Sequence, residues 1–331
     1  MDLRPPPSNT RDSNAPTTLK IGVIGLLGSS GRQHAEVLDG SDGATLLAGT
    51  DMRASAAPGG TPQDGPELRS LRGLLDDPSV NAVALCVPPG ERGSLAHQIL
   101  DAGRHLVVEK PVARTLEEFD TLVGHAEASS LTVAVMLQHR HVLPEAVFEN
   151  DFGPARAELI ISRPRPPEHY RNGWRADPAT SWGGVVTHLG IHYLDLACLL
   201  LGTPRSVRVE EARYAAPGVE TTLSARVEFE DGHRLRALIT SDAEHRMERL
   251  TLLGRQDWLE VCDGSVRGRI GGSDVRSERR PVHELRSLVY REFAGAVLNG
   301  RPLGLSSMRR ARDTTALLEM LRDVIETGGT P

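Results

Sequence analysis

The fold is decided by a stretch near the N-terminus that reads Leu19-Lys20-Ile21-Gly22-Val23-Ile24-Gly25-Leu26-Leu27-Gly28-Ser29-Ser30-Gly31. Its apolar first half predicts a buried β-strand, and the glycines then lead into a predicted helix at about 31–38. Glycine lets the backbone approach a pyrophosphate, and the N-terminus of a helix offers unpaired N–H groups to that charge. The GxxGxxG spacing is one residue longer than the usual GxGxxG, and tight turns also use glycine for steric reasons. The stretch predicts a dinucleotide site.

An acid follows the second apolar run of the chain. Asp51 lies 26 residues after Gly25, where a carboxylate can accept hydrogen bonds from the adenosine ribose. Its charge would repel a 2′-phosphate and so favours NAD, whereas Arg53 could accommodate the phosphate of NADP. We therefore expect NAD as the cofactor and leave NADP open.

The first half of the chain alternates between short apolar runs and helical stretches. The helix predicted at 115–129 opens with Thr115 and Glu118 at capping-box spacing. Near-continuously apolar strands that alternate with helices predict a doubly wound parallel sheet, the Rossmann arrangement of an α/β fold. We assign it to residues 19–140, after a tail at 1–18 predicted to be disordered. Further predicted strands lie at 45–51, 82–87, 105–109 and 132–137, and a further helix lies at 93–102.

After about Arg140 the apolar residues alternate with polar ones. This pattern at 223–229, the turn at Asp231-Gly232 and a second alternating run predict an antiparallel hairpin. We expect a C-terminal α+β domain at 141–331, with a large, open, mainly antiparallel sheet. Its two predicted helices are too few to cover that sheet, which predicts an exposed apolar face and hence a homodimer or homotetramer. Further predicted strands lie at 206–214, 250–254 and 258–262, and the helices lie at 282–298 and 307–327.

Composition excludes several classes of protein. The 331 residues carry a net charge of −6 and no basic cluster, which argues against nucleic acid as a partner. The three cysteines are far apart and lack disulfide or metal spacing, which is typical of reduced thiols. No apolar run approaches the roughly 20 residues of a membrane span, and the N-terminal tail lacks the apolar core of a signal peptide. We expect a cytoplasmic protein.

Lysine occurs only twice, against 36 arginines, and Lys110 stands in the run Val107-Val108-Glu109-Lys110-Pro111. A guanidinium cannot lose its proton near neutrality, whereas a buried lysine can be tuned to do so. An ammonium at the end of an apolar strand is therefore a candidate chemical group. The alternative is a solvated strand end.

A second group of candidate residues lies at 182–195. If this stretch is helical, His188, His192 and Asp195 share one face. Capped or core histidines are the alternative. A zinc site is disfavoured, because the segment lacks the Glu of a HExxH motif and no third ligand is evident. We predict no metal.

These segments resemble the glucose-fructose oxidoreductase, inositol dehydrogenase and rhizopine-catabolism (Gfo/Idh/MocA) oxidoreductases. The glycine loop and residues 31–35 resemble the family's first turn, 102–111 its most recognisable segment, and 183–195 its active-site helix in the second domain. Arg140 and Trp174-Arg175 have counterparts too. The likeness runs from about residue 19 to 327.

The chain also departs from the family's pattern. The glycine loop has an extra residue, Val87 replaces a threonine, and Arg92 stands where histidine is common. Most importantly, His188 stands where many relatives have an aspartate. Members that act on nucleotide-linked N-acetylaminosugar uronates also depart there, and 190–195 and 288–292 look similar to theirs, which favours a sugar nucleotide or aminosugar.

The resemblance implies hydride transfer between a nicotinamide and a secondary alcohol or ketone of a sugar. Lys110 would stabilise alkoxide charge, His192 would exchange the proton because imidazole titrates near neutrality, and His188 would contact substrate or donate the proton itself. Glu109 is expected to hold Lys110 or the ribose. A same-family reductase of a non-sugar ketone or imine, redox-assisted glycoside cleavage and a catalytically silent dinucleotide sensor stay open.

The expected contacts fall into two sets. The residues expected at the cofactor are Gly25, Leu27, Gly28, Ser29, Ser30, Gly31, Arg32, Asp51, Met52, Arg53, Val87, Pro88, Glu109, Lys110 and Gln138. The residues expected at the substrate are Arg140, Tyr170, Trp174, Arg175, His188 and His192. Arg140, Tyr170 and Arg175 could equally be plain surface or core residues.

Overall fold

The computed structural model of the protein describes residues 18–51 and 66–327. The tail predicted to be disordered therefore lies outside the described residues, apart from Thr18. Met52 and Arg53, predicted at the cofactor, also lie outside them.

The N-terminal half contains a five-stranded parallel sheet in the order β2-β1-β3-β4-β5. This confirms the predicted Rossmann arrangement. The strands are β1 (Leu19–Ile24), β2 (Ala44–Thr50), β3 (Ala82–Leu85), β4 (His105–Val108) and β5 (Val133–Val135). The helices of this half are α1 (Ser29–Asp39), α2 (Leu71–Leu75), α3 (Pro89–Asp101) and α4 (Leu116–Ala128). Of these, α2 was not predicted, and α3 begins four residues before its predicted start.

Two glycines fix the turn between β1 and α1. Gly25 has a φ of +86°, a left-handed conformation that favours glycine. A Cβ at Gly31 would collide with the backbone oxygen of Gly25 and with the backbone of Leu26. Gly31 therefore serves the close packing of helix on strand.

The predicted cap of α4 is present in a modified form. The Thr115 hydroxyl accepts a hydrogen bond from the Glu118 N–H at 3.2 Å. The Glu118 carboxylate accepts from the N–H of Arg114 at 2.8 Å, so it reaches one residue further back than the standard capping box.

The C-terminal half contains an eight-stranded sheet, which confirms the large, mainly antiparallel sheet. Its order is β13-β12-β11-β10-β6-β9-β8-β7, and only β6 and β9 run parallel. Three strands, β6, β12 and β13, were not predicted. The strands are β6 (Arg156–Ser162), β7 (Pro204–Ala216), β8 (Val219–Phe229), β9 (Arg234–Thr240), β10 (Met247–Leu253), β11 (Trp258–Cys262), β12 (Ser265–Ile270) and β13 (Ser273–Ser277). The helices are α5 (Pro178–Ser181), α6 (Ile191–Leu201), α7 (Val282–Asn299) and α8 (Arg312–Thr327).

The apolar face of this sheet is covered within one chain. Leu223, Ala225, Val227 and Phe229 of β8 are all buried. Helix α8 packs against β7, and α6 packs against β10. The expectation that the face carrying these side chains is uncovered was therefore wrong, because α6 and α8 pack on the sheet.

Helix α7 returns to the N-terminal sheet. Its residues Val289, Tyr290, Phe293 and Ala294 are buried in one apolar cluster with the β1 side chains. The C-terminal part of the chain thus covers one face of the five-stranded sheet.

One helical stretch is long and apolar enough to cross a membrane by composition. It runs from Pro178 to Leu201, and 89% of its most apolar window is buried inside the fold. We assign it to the protein core, because a buried core helix passes the same test.

Candidate active site

A cavity of about 640 Å³ lies at the carboxyl ends of the parallel strands, where an open α/β sheet binds its ligands. It extends to the stretch between β6 and α6 and to the start of α7. It is lined by Gly25, Leu27, Gly28, Ser29, Ser30, Gln33, Asp51, Cys86, Val87, Pro88, Pro89, Glu91, Arg92, Glu109, Lys110, Arg163, Arg165, His169, Trp174, Arg175, His188, Leu189, His192 and Arg286.

The glycine loop offers backbone donors to this cavity. Helix α1 begins after Gly28 without a side-chain cap or an acid in its first turn. The first N–H groups of a helix lack partners within the helix, so Ser29 and Ser30 present them together with the positive end of the helix dipole. The Asp51 carboxylate accepts from the N–H of Leu27 at 3.1 Å and so stands beside the same loop. This donor set and acid fit the pyrophosphate and ribose of a dinucleotide.

The structure brings most of the predicted cofactor residues together. Ten line the cavity: Gly25, Leu27, Gly28, Ser29, Ser30, Asp51, Val87, Pro88, Glu109 and Lys110. Gly31, Arg32 and Gln138 are not among the residues that line it, so their contact with the cofactor stays a prediction. Gly31 packs against Gly25, the Arg32 side chain points to solvent, and Gln138 is buried.

Glu109 is the centre of a buried hydrogen-bond network. Its carboxylate accepts from the Ser30 hydroxyl at 2.7 Å, from His34 Nε2 at 3.0 Å and from the Lys110 N–H at 3.1 Å. Because a carboxylate only accepts, His34 Nε2 carries the hydrogen, and in the neutral ring Nδ1 accepts from the Tyr290 hydroxyl at 2.6 Å. Burial opposes ionisation, but His34 and the nearby cations outweigh it and lower the pKa of Glu109. Glu109 therefore fixes the backbone that carries Lys110.

Lys110 joins the two halves of the molecule. Its Nζ donates to the backbone oxygen of His188 at 3.2 Å. Burial lowers the pKa of Lys110 to about 8, and the Glu109 charge only partly offsets that effect. A lysine with this pKa exchanges protons near neutrality, as the sequence hypothesis required.

A buried acid, missed in the sequence, holds the turn before α6. The Glu220 carboxylate accepts from the N–H groups of Gly184 at 2.8 Å and Val186 at 2.9 Å. A Cβ at Gly184 would collide with the Glu220 backbone, so glycine is required there. Residues 186–190 then form a π-helical turn, a rare form that often occurs at functional sites. No local signal distinguished Glu220 from other strand residues.

Both predicted histidines line the cavity. The His188 ring meets Trp174 edge-on at 5.3 Å, and the His192 ring lies 4.2 Å from that of His139, which sequence reasoning missed. Burial, and then the neighbouring Lys110, lower the pKa of His188 well below its ordinary value. Burial, His139 and Lys110 do the same for His192. The lowered pKa argues against the expectation that His192 titrates in the working range, because the ring is buried beside His139 and Lys110.

Two further assignments are corrected by one ion pair. Asp195 does not face the cavity with the histidines but binds Arg140 through two hydrogen bonds of 2.7 Å. Arg140 is fully buried and donates its remaining hydrogen bonds to the backbone oxygens of Leu305 and Ser307. Arg140 is therefore a structural residue and not a substrate ligand.

The loop between β6 and α6 contains both a correct and a wrong assignment. Trp174 and Arg175 line the cavity as predicted, with the Arg175 guanidinium 4.4 Å from the centre of the Trp174 ring. Tyr170 is buried in the core, and its neighbour His169 lines the cavity instead. The assignment of Tyr170 was wrong by one residue.

Several lining residues were not predicted. Arg163 and Arg165 follow β6, a strand that the alternation analysis missed, and Arg286 comes from the distant helix α7. One sequence signal could have indicated these lining residues. It is the pair of arginines in Ser162-Arg163-Pro164-Arg165, directly after β6. Within the described ranges, no group of three or more His, Cys, Asp or Glu side chains is arranged to hold a metal.

Comparison with sequence families assigns both halves of the chain. Residues 19–137 match the NAD-binding Rossmann domain of the GFO/IDH/MocA oxidoreductase family, and residues 146–260 match its C-terminal domain. Together the two matches span more than half of the chain. The protein belongs to the GFO/IDH/MocA oxidoreductase family. The family binds a nicotinamide dinucleotide, and relatives that use NADP occur beside those with NAD. The predicted family and enzyme class are confirmed.

Individual relatives cover most of the chain. The galactose 1-dehydrogenase of Pseudomonas fluorescens is 26% identical and matches over 83% of this chain and 87% of its own. The myo-inositol 2-dehydrogenase of Thermotoga maritima is 29% identical over 78% and 76%. The WlbA dehydrogenase of Bordetella pertussis, solved with NADH and UDP-GlcNAcA, has a TM-score of 0.76 at 22% identity, covering 95% and 97%. This last likeness shows a shared fold.

Proposed function

We propose that this oxidoreductase transfers hydride between a nicotinamide cofactor and a secondary alcohol or ketone of a sugar or sugar nucleotide. One observation carries the proposal. Lys110, His188 and His192 line the same cavity as the glycine loop and Asp51, so acid–base groups and cofactor donors share one space. The sugar part is supported by the relatives named for galactose and inositol, which belong to the same family.

The cofactor residues bind and orient. When bound, the nicotinamide accepts or supplies the hydride. The backbone donors at Ser29 and Ser30 bind its pyrophosphate, and Asp51 accepts from its ribose. Glu109 keeps the Lys110 backbone in place by accepting its N–H. The protein thereby fixes Lys110 relative to the cofactor before substrate arrives.

Lys110 exchanges the proton of the substrate oxygen. With a pKa of about 8, its amine accepts the hydroxyl proton during oxidation and its ammonium returns it during reduction. The positive charge of the ammonium form stabilises a developing alkoxide on the substrate. His192, held neutral by its surroundings, accepts or donates a hydrogen bond at the substrate and orients the hydroxyl. His188 contacts the substrate beside Trp174.

The experiment has two steps. Titration by tryptophan fluorescence should show tighter binding of NAD(H) than of NADP(H), because Asp51 repels a 2′-phosphate. A panel of sugars, inositols and sugar nucleotides is then assayed for NADH formation. Binding without turnover on any member favours a silent sensor, turnover only on imines or non-sugar ketones favours a different reductase, and glycoside cleavage that requires catalytic NAD favours the redox-assisted route. No binding of either cofactor would refute the proposal.

We also propose that the protein is a cytoplasmic homodimer or homotetramer. The paired residues Leu253 and Trp258, on neighbouring strands of the eight-stranded sheet, are 56% and 37% exposed. Exposed apolar side chains on a sheet face suit an interface between copies. Light scattering that gives the mass of one chain at micromolar concentration would refute the oligomer. Cell fractionation tests the location.

A further inference from the structure

The carboxylates that line the cavity lie on one side, whereas cations lie on both sides. The three lining acids, Asp51, Glu91 and Glu109, all belong to the N-terminal half of the chain. In the described ranges, the lining residues contributed by the C-terminal half include no acid. They include three arginines between β6 and α5, namely Arg163, Arg165 and Arg175, which we call the arginine cluster.

Arg163 and Arg165 differ in how the protein compensates their charge. Arg163 forms an ion pair with Glu248, with 2.9 Å between Nε and Oε1. Arg175 lies over the Trp174 ring and belongs to the cavity wall. Within the described part of the chain, the Arg165 guanidinium has no carboxylate within ion-pair distance and donates only to the backbone oxygen of Pro164 at 3.0 Å. Arg165 is a cation that the protein leaves available.

The surrounding histidines report the same positive potential. Burial, and then the charges of Arg175 and Arg165, lower the pKa of His169 to about 4. Lys110 and Arg175 also add to the effect of burial on His188. Nearby positive charges disfavour a further positive charge, so the cations of the cavity wall add to the effect of burial on both rings.

The cofactor does not account for this charge. Its pyrophosphate has donors at Ser29 and Ser30, at the N-terminus of α1, and its ribose has Asp51. The arginine cluster belongs to the other half of the cavity, with Trp174 and His188. A guanidinium binds carboxylate and phosphate through paired hydrogen bonds and is the side chain best suited to both.

We propose that the substrate is anionic and that its carboxylate or phosphate group binds the arginine cluster, with Arg165 as the main ligand. The inference rests on the proposed function and specifies the substrate class of that site. The aromatic face of Trp174 packs against the sugar ring, and the anion places the reacting hydroxyl beside Lys110 and His192. A neutral sugar lacks the group that fixes this orientation.

The test compares matched probes on NAD-saturated protein, so that the cofactor's own sites are filled. Binding of glucose, glucuronate, glucose 1-phosphate, UDP-glucose and UDP-glucuronate is followed by tryptophan fluorescence. At least one charged probe should bind on the order of tenfold or more tightly than glucose. Added salt should weaken that binding, because screening reduces charge attraction. Preference for glucuronate identifies a carboxylate as the anion, and preference for the phosphates identifies a phosphoryl group.

Variants assign the effect to a residue. Arg165→Gln should remove the preference for the charged probe, whereas Arg213→Gln, an exposed arginine on β7 outside the cavity wall, should keep it. Equal affinity for glucose and every charged probe, or no binding of any charged probe, would overturn the inference. So would an unchanged preference in Arg165→Gln. The proposed function fails separately, through absent NAD binding or absent hydride transfer, and it would stand if neutral sugars alone were oxidised.

Discussion

Arg140 and Asp195 form an ion pair in which neither side chain reaches solvent, with both nitrogen–oxygen distances at 2.7 Å. Asp195 also accepts from the Thr314 hydroxyl at 2.7 Å. The pair attaches the segment after β5 to helix α6, which carries His192, and to helix α8. It thereby positions a residue of the active site without contacting the cavity.

Replacing Arg140 should lower the free energy of unfolding of the protein and have little effect on substrate binding. Arg140→Gln leaves a buried carboxylate without its cation, which typically costs about 3–5 kcal/mol. Urea unfolding measures this loss, and Arg72→Gln, on an exposed pair with Asp76, serves as the control with almost no change. Normal stability together with a raised KM would instead restore Arg140 as a substrate ligand.

Lys110→Arg should lose on the order of a hundredfold or more in kcat and leave NAD affinity within a few-fold. Guanidinium is bulkier and cannot give up its proton. In the native enzyme, the rate of oxidation should rise with pH through about 8, because the neutral amine is the proton acceptor, and the rate of reduction should fall. Stopped assays across that range measure both. A full rate in Lys110→Arg would show that the lysine is structural.

Replacing His188 with aspartate, the residue that many family members have there, distinguishes the role of His188 from that of His192. His192→Ala should lower kcat strongly, since the hydroxyl loses its orienting partner. His188→Asp places a negative charge beside Lys110 and Arg175, whose charges act on His188 now. If His188 only orients, the aspartate preserves or raises activity. If His188 contacts the substrate, as we propose, His188→Asp lowers activity as much as His188→Ala does. Measuring kcat/KM of both variants distinguishes the two roles.

Glu220 should make stability depend on pH. Burial raises the pKa of Glu220 from 4.5 to about 7, so the native state holds this proton more tightly than the unfolded chain does. The stabilisation is present below about pH 4.5 and is lost as pH rises through about 7, by about 3 kcal/mol.

The Glu220 prediction has its own variants. Glu220→Gln removes the titration, and stability should then vary less between about pH 5 and pH 8. It should also fall by about 1–3 kcal/mol, because the two backbone donors bind different carboxylate oxygens and the NH2 group of Gln cannot accept from the second. Exposed Glu244→Gln should keep the native pH dependence. The same dependence in Glu220→Gln would assign it to another group.

The local patterns of the sequence predicted what local physics determines. Apolar runs such as Ile21–Ile24 and the glycine at 25 follow from burial and from a left-handed turn, so the parallel sheet was predictable. Strand β12 was missed because Gly268 interrupts its inward-facing side, where Val266 and Ile270 are buried.

The candidate site was less predictable where it depends on contacts between residues that are far apart in the sequence. The sequence around Arg140 does not indicate that its partner is a carboxylate 55 positions away. Arg140 was therefore predicted to bind the substrate, although it belongs to a buried ion pair. The low pKa of His192 is a property of the assembled cavity and not of its neighbours in sequence. The roles of Tyr170 and His169 were confused because the two adjacent side chains point in different directions at the end of a 3₁₀ turn, and the sequence does not show which one faces inward.

The packing of α7 on the N-terminal sheet limits how the molecule can be divided. A fragment that stopped near Arg140 would keep all five strands but expose the apolar surface that Tyr290 and Phe293 now cover. It would also lose the Tyr290 hydroxyl behind His34 and Glu109. Such a fragment should aggregate or bind cofactor weakly. During synthesis, the first domain therefore reaches its final state only after α7 has left the ribosome.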